Sequence, residues 1–353
     1  MTGLDTGNTG FMLLASSLVM LMTPGLAFFY GGLVGRKNVL AIMMQSFVSM
    51  GWTTILWVAF GFSLSFSGGK GAIIGNLDMA FLRGITLSTP SPNETIPMIV
   101  FVAYQMMFAV ITPALITGAF TNRVTFRAYM LFLTGWLVLV YFPFVHMIWG
   151  GGWLAQLGVL DFAGGIVVHV IAGMAALASV LFVGRRRTPE AGPHSIPLVA
   201  LGTGLLWFGW YGFNAGSEFR VDSVTAIAFL NTDVAASFAA IVWLALDWRL
   251  AKRPKFLGLL TGAVAGLATI IILLGVFATK AWNPAGADGL LAGNPSFFFV
   301  EVGAVVFASV WSIGFTYGML WLIDKVTPVR VTAETEEGGL DQGLHGEIAY
   351  EGV

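Results

Sequence analysis

Uncharged apolar runs of membrane-spanning length recur from one end of this 353-residue sequence to the other. A run of about 18 or more such residues can cross the roughly 30 Å hydrocarbon core of a bilayer as a helix. A soluble domain carries about a quarter charged residues, whereas only 10% of this chain is charged and 57% is hydrophobic. A β-barrel is excluded because barrel strands alternate in polarity over about ten residues and these runs do not. The sequence therefore predicts an all-α polytopic membrane protein embedded in the lipid bilayer.

The apolar runs divide the chain into nine predicted spans. They cover residues 11–34, 39–66, 97–120, 128–149, 162–184, 196–216, 224–246, 256–279 and 296–323. We expect residues 1–323 to form the transmembrane domain and the polar residues 324–353 to form a cytoplasmic tail. Two weak internal features accompany this division. The segment 29–32 near the end of span 1 echoes 210–213 near the end of span 6, as an inverted repeat requires, and Gly262-xxx-Gly266 is typical of close helix packing.

The basic residues predict the orientation, since Lys and Arg are enriched in cytoplasmic loops. The loops after odd-numbered spans and the tail hold 13 of the 17 basic residues, and the opposite loops hold Lys70, Arg83, Arg220 and Lys280. We therefore expect the N-terminus outside the cell and the C-terminus in the cytoplasm. The protein is expected in the cytoplasmic membrane.

Several classes of chemistry find no support in the sequence. The chain has no cysteine, so it forms no disulfide, cysteine metal site or thiol nucleophile. No serine nucleophile elbow, HExxH motif or phosphate-cradling glycine loop is present. Arg185, Arg186 and Arg187 fit a positive-inside anchor better than a nucleic-acid patch. We expect no enzymatic activity, cofactor, metal or nucleic-acid partner.

His169 is the strongest functional candidate because it lies inside an apolar span. Intramembrane ionisable residues usually face a bundle interior or a pore. Two interpretations are open: a structural histidine bonded to a neighbouring helix, or a pore-lining ring that carries hydrogen bonds or protons. Asp161 lies eight residues earlier, at the predicted start of the span. There its carboxylate is more suited to capping free N–H groups than to donating protons.

Aromatic residues near the outer ends of spans 4 and 6 suggest a small-cation site. Trp149, Phe213 and Ser217 could together offer aromatic faces and a hydroxyl to a cation, although their spacing does not show convergence. Two further acids, Asp233 and Glu301, lie within spans. Glu301 is near enough to the outer boundary to reach the interface, whereas Asp233 lies deeper without an evident role.

Five segments resemble signatures of the Amt/Mep/Rh ammonium transporter family, and specifically its bacterial and archaeal Amt branch. They are TPGLAFFYGGLVGRKNVL (23–40), HMIWGGGWL (146–154), LDFAGGIVVHV (160–170), WYGFNAGS (210–217) and GLDQGLHGEIAY (339–350). The resemblance covers nearly the whole chain. It implies a homotrimer with one pore per subunit and, usually, eleven spans in each subunit.

The resemblance also implies roles for individual residues. Trp149, Phe108 and Ser217 match the outer ammonium site, and Phe108 with Phe213 matches the stacked aromatic pair below it. Asp161 matches the acid that supports the site, and His169 matches the first of two pore histidines. The implied activity is recruitment of ammonium, or its analogue methylammonium, followed by deprotonation, conduction of ammonia and relay of the proton along the pore histidines. A PII-type signalling protein is the implied cytoplasmic partner.

One departure from the family pattern is large. The second pore histidine belongs to a D-x-x-G-x-H-G motif in the family's tenth span, and no such motif is present. Residues 259–270 resemble the start of the family's eighth span and residues 271–286 the end of its tenth, as if roughly fifty residues were missing between them. Either this chain lacks the segment and transports poorly, or the native protein contains a segment that this sequence has lost. An ammonium sensor and a purely structural membrane protein are the remaining alternatives.

Overall fold

Eight long apolar helices dominate the computed structural model, which describes residues 4–86, 88–188, 192–268 and 271–351. Within those ranges, these eight are long and apolar enough to cross a bilayer. They are α1 (Thr6–Leu33), α2 (Arg36–Phe66), α3 (Met98–Phe120), α4 (Phe126–Gln156), α5 (Gly165–Val183), α6 (Ile196–Glu218), α7 (Ser223–Ala251) and α10 (Pro295–Val326). The shorter helices are α8 (Phe256–Ala268), α9 (Ile271–Phe277) and α11 (Ala333–Gly338). The predicted all-helical membrane fold is confirmed.

Local capping explains where five of the eight long helices begin. Before each of these five starts, a side chain accepts a hydrogen bond from a backbone N–H of the first turn, which would otherwise lack a partner. The residues that cap in this way are Asp5, Thr125, Ser195, Asp222 and Asn294. Each is a short polar residue that precedes an apolar run. Eight of the predicted spans coincide with observed helices to within several residues.

The predicted span over residues 256–279 is described as two helices, α8 and α9, and residues 269–270 between them lie outside the described ranges. The predicted junction near Ile270 falls at that gap. The two described helices pack against different neighbours.

Helix α8 packs closely along α7. A Cβ atom added at Gly262 would lie 2.7 Å from Trp243 Cβ and 2.8 Å from the Ala239 carbonyl oxygen, and Gly266 meets Ala235 in the same way. The expected close packing at Gly262 and Gly266 is thus confirmed, because small residues let helix backbones approach. Helix α9 instead contacts α10, where Gly275 faces Phe298 and Glu301.

Together, α8 and α9 return the chain across the bundle. The start of α7 lies beside the start of α1, since the Val221 amide donates to Asn8 Oδ1 at 2.8 Å. The end of α10 lies at the opposite side, beside the loop that follows α3, where the Thr125 amide donates to the Val329 carbonyl. Residues 252–294 must therefore connect the two sides of the bundle.

The inverted pair α1 and α6 packs antiparallel through small residues. A Cβ atom at Gly32 would lie 2.6 Å from the Ser195 carbonyl oxygen, and one at Gly25 would lie 2.9 Å from Leu205 Cβ. As the residue number rises along α1, it falls along the facing side of α6. The two helices related by the sequence echo therefore run in opposite directions, as an inverted repeat requires.

The C-terminal tail lies against the loops on the side where α1 ends. The Asp341 carboxylate accepts the backbone N–H groups of Leu40 and Ala41 at 3.0 and 2.8 Å. Arg330 forms an ion pair with the buried Glu336 at 2.8 Å, and Glu336 also accepts the Arg187 N–H at 2.6 Å. These contacts attach the tail to the start of α2 and to the loop after α5.

Candidate functional site

One stripe of α3 lines a cavity at the end of the bundle where α1 begins. Phe101, Tyr104, Gln105 and Phe108 share a helix face because residues three and four apart lie above one another. All four line a cavity of about 410 Å³, together with Trp149, Ser217 and Phe219. We call this cavity the outer vestibule.

Trp149 is held at the vestibule by the segment that precedes α5. Its indole Nε1–H donates to the backbone carbonyl oxygen of Asp161 at 2.7 Å. The Trp149 ring meets Phe108 edge-on, with centroids 5.7 Å apart and an interplanar angle of 90°. The two rings thus form adjoining, perpendicular walls, a geometry that suits both aromatic contact and a small cation.

The Asp161 carboxylate caps α5, as its position in the sequence predicts. It accepts four backbone N–H groups at 2.7–2.9 Å, those of Gly164, Gly165, Ile166 and Val167. Gly164 has a φ of +94°, a left-handed conformation that favours glycine. Burial raises the pKa of Asp161, and the four amide hydrogen bonds oppose that shift. Because both oxygens are engaged, Asp161 acts on the vestibule through the backbone that it fixes.

Ser217 presents its lone pairs at the vestibule wall. Its hydroxyl donates to the Phe213 carbonyl oxygen at 2.8 Å, one turn back along α6. The Tyr104 hydroxyl lies 2.8 Å from the Gly212 carbonyl, 3.0 Å from the Phe213 carbonyl and 3.4 Å from Ser217 Oγ. Since the Ser217 proton is engaged, its oxygen is available to accept hydrogen bonds.

Below the vestibule, aromatic rings lead inward to His169. Phe108 and Phe213 are both about 1% exposed, and their ring centroids are 4.3 Å apart with an interplanar angle of 35°. Phe213 lies 5.8 Å from the His169 ring, and Trp210 stacks on that ring at 5.6 Å and 12°. The order from vestibule to interior is therefore Trp149, Phe108, Phe213 and His169.

His169 occupies a π-helical turn, Gly165–Val170, at the start of α5. Such wide turns often occur at functional sites. Among the described residues, the contacts of the His169 ring are with the aromatic rings of Trp210 and Phe213. His169 lines a second cavity of about 410 Å³, which also reaches Asp161, Asn214 and Thr232 and extends to Leu274 of α9.

The aromatic residues suggested for a cation site lie at different depths. Phe108 stands beside Trp149 and Ser217 in the vestibule. Phe213 lies one ring further in, between Phe108 and His169. The three residues that the family resemblance implied for the outer site, Trp149, Phe108 and Ser217, thus line one cavity.

The two acids predicted to lie within spans, Asp233 and Glu301, both have hydrogen-bond partners in the structure. Asp233 accepts hydrogen bonds from Tyr211 Oη at 2.6 Å and Trp207 Nε1 at 3.1 Å, so it connects α7 to α6. Glu301 does not reach the interface: it is 0% exposed, and its Oε1 accepts the Leu160 N–H at 2.8 Å. It holds the segment that leads into Asp161.

Three residues of the site escaped the sequence analysis. Tyr104 and Gln105 lie in a helix that is apolar on every side, so periodicity gives no signal for the face that they share. Trp210 was noted for its part in a repeat, and only the fold places it on His169. In the described ranges, no three His, Cys, Asp or Glu residues group as metal ligands would.

A narrow aromatic path that enters a multi-span helical bundle from a polar-edged vestibule defines a membrane channel or transporter. The profile of the Ammonium Transporter Family matches residues 10–271 and 270–350. The chain is 38% identical over 402 positions to the ammonium transporter of Bacillus subtilis, covering 99% of each chain. This chain belongs to the ammonium transporter family.

Solved structures agree with this membership. Saccharomyces cerevisiae Mep2 superposes with a TM-score of 0.88 at 27% identity, over 94% of this chain and 89% of that one. A structure described as a sensor Amt protein gives 0.84 at 26% identity, over 96% and 98%. The family profile breaks at residues 270–271, which is the position of the predicted junction. The alignment with the Bacillus protein is longer than this chain, so that relative contains dozens of residues without a counterpart here.

Proposed function

We propose that this chain takes up ammonium in the outer vestibule and passes ammonia inward past Phe108 and Phe213 to His169. The observation that carries the proposal is the unbroken succession of rings from Trp149 to His169. Aromatic faces attract a cation, and the Ser217 oxygen accepts one of its N–H groups. The vestibule therefore suits an ion that is both small and rich in hydrogen-bond donors.

Deprotonation is the step that the inner geometry favours. Transfer of a bare cation into an apolar, water-poor passage costs several kcal/mol or more. Ammonium avoids that cost by transferring its proton to solvent water at the mouth of the vestibule and crossing as ammonia. The unengaged ring nitrogens of His169 then offer ammonia a hydrogen bond, and a potassium ion, which has no proton to release, is rejected at the same point.

Uptake of radiolabelled methylammonium into proteoliposomes tests this function. The wild-type protein should exceed empty liposomes, and W149L should lower uptake roughly tenfold, as expected from the loss of a desolvated cation–π contact. W153L is the matched control, because Trp153 is partly exposed and packs on Phe307 outside the vestibule. Equal losses in both variants, or no uptake by the wild type, would contradict the proposal.

A second candidate function is ammonium sensing, or binding with impaired transport. The cavity beside His169 favours it, because this cavity lies between α5, α6, α7 and α9. That is the side on which the family's additional helices, with the second histidine, have no counterpart here. We expect slower uptake than the Bacillus subtilis relative measured in parallel. Comparable rates would remove this candidate, whereas binding without uptake would select it.

We propose that the assembly is a homotrimer in the cytoplasmic membrane with the N-terminus outside. The uneven distribution of basic residues supports the orientation. Large apolar side chains exposed along α7, such as Phe229, Phe238 and Ile241, support contact with lipid or with a second copy. Native mass spectrometry tests the stoichiometry, and protease cleavage of the tail in right-side-out and inverted vesicles tests the orientation.

Residues 324–353 are proposed to regulate the pore as a cytoplasmic tail and to receive a PII-type signalling protein. Glu336 contacts the loop after α5, and Asp341 contacts the start of α2. These contacts support the role, because a partner that moves the tail would also act on both segments. Co-purification of a PII protein with the full chain, compared with a variant truncated after residue 331, tests it. Equal recovery with both would argue against the tail as the binding region.

A further inference from the structure

Gln105 is a polar residue of the vestibule that the proposed function has not used. It lies on the α3 stripe, one position after Tyr104 and three before Phe108, and it lines the same cavity as Trp149 and Ser217. Its side chain is 5% exposed, and its Oε1 atom is buried with no hydrogen-bond partner among the described residues. Buried amide oxygens rarely stay unpaired.

Three other polar side chains of the vestibule are already engaged. The Asp161 carboxylate accepts four amide N–H groups, and the Tyr104 hydroxyl lies against two carbonyl oxygens. The Ser217 hydroxyl donates its proton to the Phe213 carbonyl. Gln105 differs from these three because it lines the vestibule with an amide whose oxygen has no donor among the described residues.

We propose that Gln105 is a further ligand of the ammonium ion in the vestibule, an inference that rests on the proposed function. Its carboxamide oxygen accepts one N–H of the ion, the Ser217 oxygen accepts another, and the rings of Trp149 and Phe108 contact the remainder. A carboxamide oxygen is a good acceptor without a full charge. It therefore orients the ion yet does not oppose release of the proton, as a free carboxylate at this place would.

The Gln105 oxygen also gives the site a basis for distinguishing ammonium from methylammonium. Ammonium has four N–H groups and can satisfy both oxygens in any orientation, whereas methylammonium has three and can direct its methyl group at one of them. Loss of the Gln105 oxygen should therefore weaken ammonium binding more than methylammonium binding. The preference for ammonium over methylammonium should fall in a variant that lacks this oxygen.

Calorimetric titration of the purified full chain with ammonium chloride and with methylammonium chloride tests the assignment without requiring transport. Q105L removes the amide at nearly constant volume and should raise the dissociation constant for ammonium roughly tenfold, the loss of one hydrogen bond to a charged group. Q45L is the matched control. Gln45 on α2 is likewise 5% exposed with an unpartnered Oε1, and it does not line the vestibule, so Q45L should bind as the wild type does.

The results of these titrations distinguish a failure of the Gln105 assignment from a failure of the proposed function. Unchanged ammonium binding by Q105L, with normal binding by the wild type, would overturn the role of Gln105 and leave the proposed function intact. Absence of binding by the wild type would overturn both. Should Q105L fail to fold in a thermal melt, Q105E preserves acceptor oxygens at the same place. It should bind ammonium at least as tightly as the wild type, and weaker binding would contradict the assignment.

Discussion

Trp149 and Asp161 are joined by a hydrogen bond of 2.7 Å that runs from the indole to a backbone carbonyl and not to the carboxylate. The carboxylate of Asp161 instead accepts hydrogen bonds from four amide N–H groups at the start of α5. One residue thus connects the helix that bears His169 to the ring that walls the vestibule. The position of Trp149 consequently depends on a helix cap.

Replacement of this cap should affect stability and ammonium binding together. D161A leaves four buried N–H groups without an acceptor, so we expect a loss of about 2 kcal/mol or more and weaker ammonium binding as Trp149 loses its anchor. Thermal melting and calorimetry measure the two effects. D222A is the control, because Asp222 caps α7 through Val224 and Thr225 away from the vestibule. Loss of binding in D222A as well would indicate a global effect.

Phe213 should act as a barrier between the vestibule and His169. F213L removes part of a ring that packs 4.3 Å from Phe108, so we expect higher water permeability of proteoliposomes in stopped-flow shrinkage. The loss of stability should be about 1–3 kcal/mol. F132L is the control, since Phe132 is as buried and packs on Phe120 instead. Equal permeability of the two variants would show that Phe213 is ordinary core.

The tail should detach when Glu336 loses its charge. Burial acts to raise the pKa of Glu336, but hydrogen bonds from Arg330 and the Arg187 amide, with the positive charges of both residues, hold it below its ordinary value. Its stabilising contribution is therefore present above about pH 4.3 and is lost as the pH falls through the lowered pKa. At neutral pH, E336Q should speed amide exchange over residues 333–345 roughly tenfold or more.

Glu337 supplies the control for that measurement. In the described contacts it contributes its backbone carbonyl oxygen, which accepts from Lys37 Nζ. E337Q should therefore leave the exchange rates of the tail unchanged. Similar rates in E336Q and the wild type would mean that the Arg330–Glu336 pair does not hold the tail.

Close packing between α7 and α8 should make Gly262 intolerant of a side chain. A Cβ atom there would meet Trp243 and the Ala239 carbonyl at under 3 Å, so G262A should lower the free energy of unfolding by about 1–3 kcal/mol. G314A is the matched control, because no heavy atom lies within 4 Å of a Cβ at Gly314 in α10. The free energy of unfolding of G314A should rise by up to about 1 kcal/mol, because alanine has a higher helix propensity than glycine. Thermal melting of both variants measures these changes. Equal stability of G262A and G314A would contradict close packing between α7 and α8 at Gly262.

Much of this architecture follows from local sequence. The apolar runs predicted nine spans, eight of which coincide with long helices, and the place of Asp161 before an apolar run predicted that its carboxylate caps N–H groups of the helix that follows. These features depend on a few neighbouring residues. They are set by the cost of leaving backbone groups unpaired in hydrocarbon.

Other features depend on contacts between distant parts of the chain. The depth of Phe213, the stacking of Trp210 on His169 and the partners of Asp233 follow from how α6 rotates against α5 and α7. A helix that is apolar all round carries no mark of which face turns inward.

The packing of α8 and α9 also bears on where a membrane protein of this kind tolerates a shorter chain. Helix α8 has its glycine contacts with α7, and α9 has its contact with α10, so each helix packs against a neighbour close to it in sequence. Neither contact depends on the residues that join α8 to α9. A change in the length of that connection should therefore be tolerated, because each helix keeps a packing partner from its own side of the break.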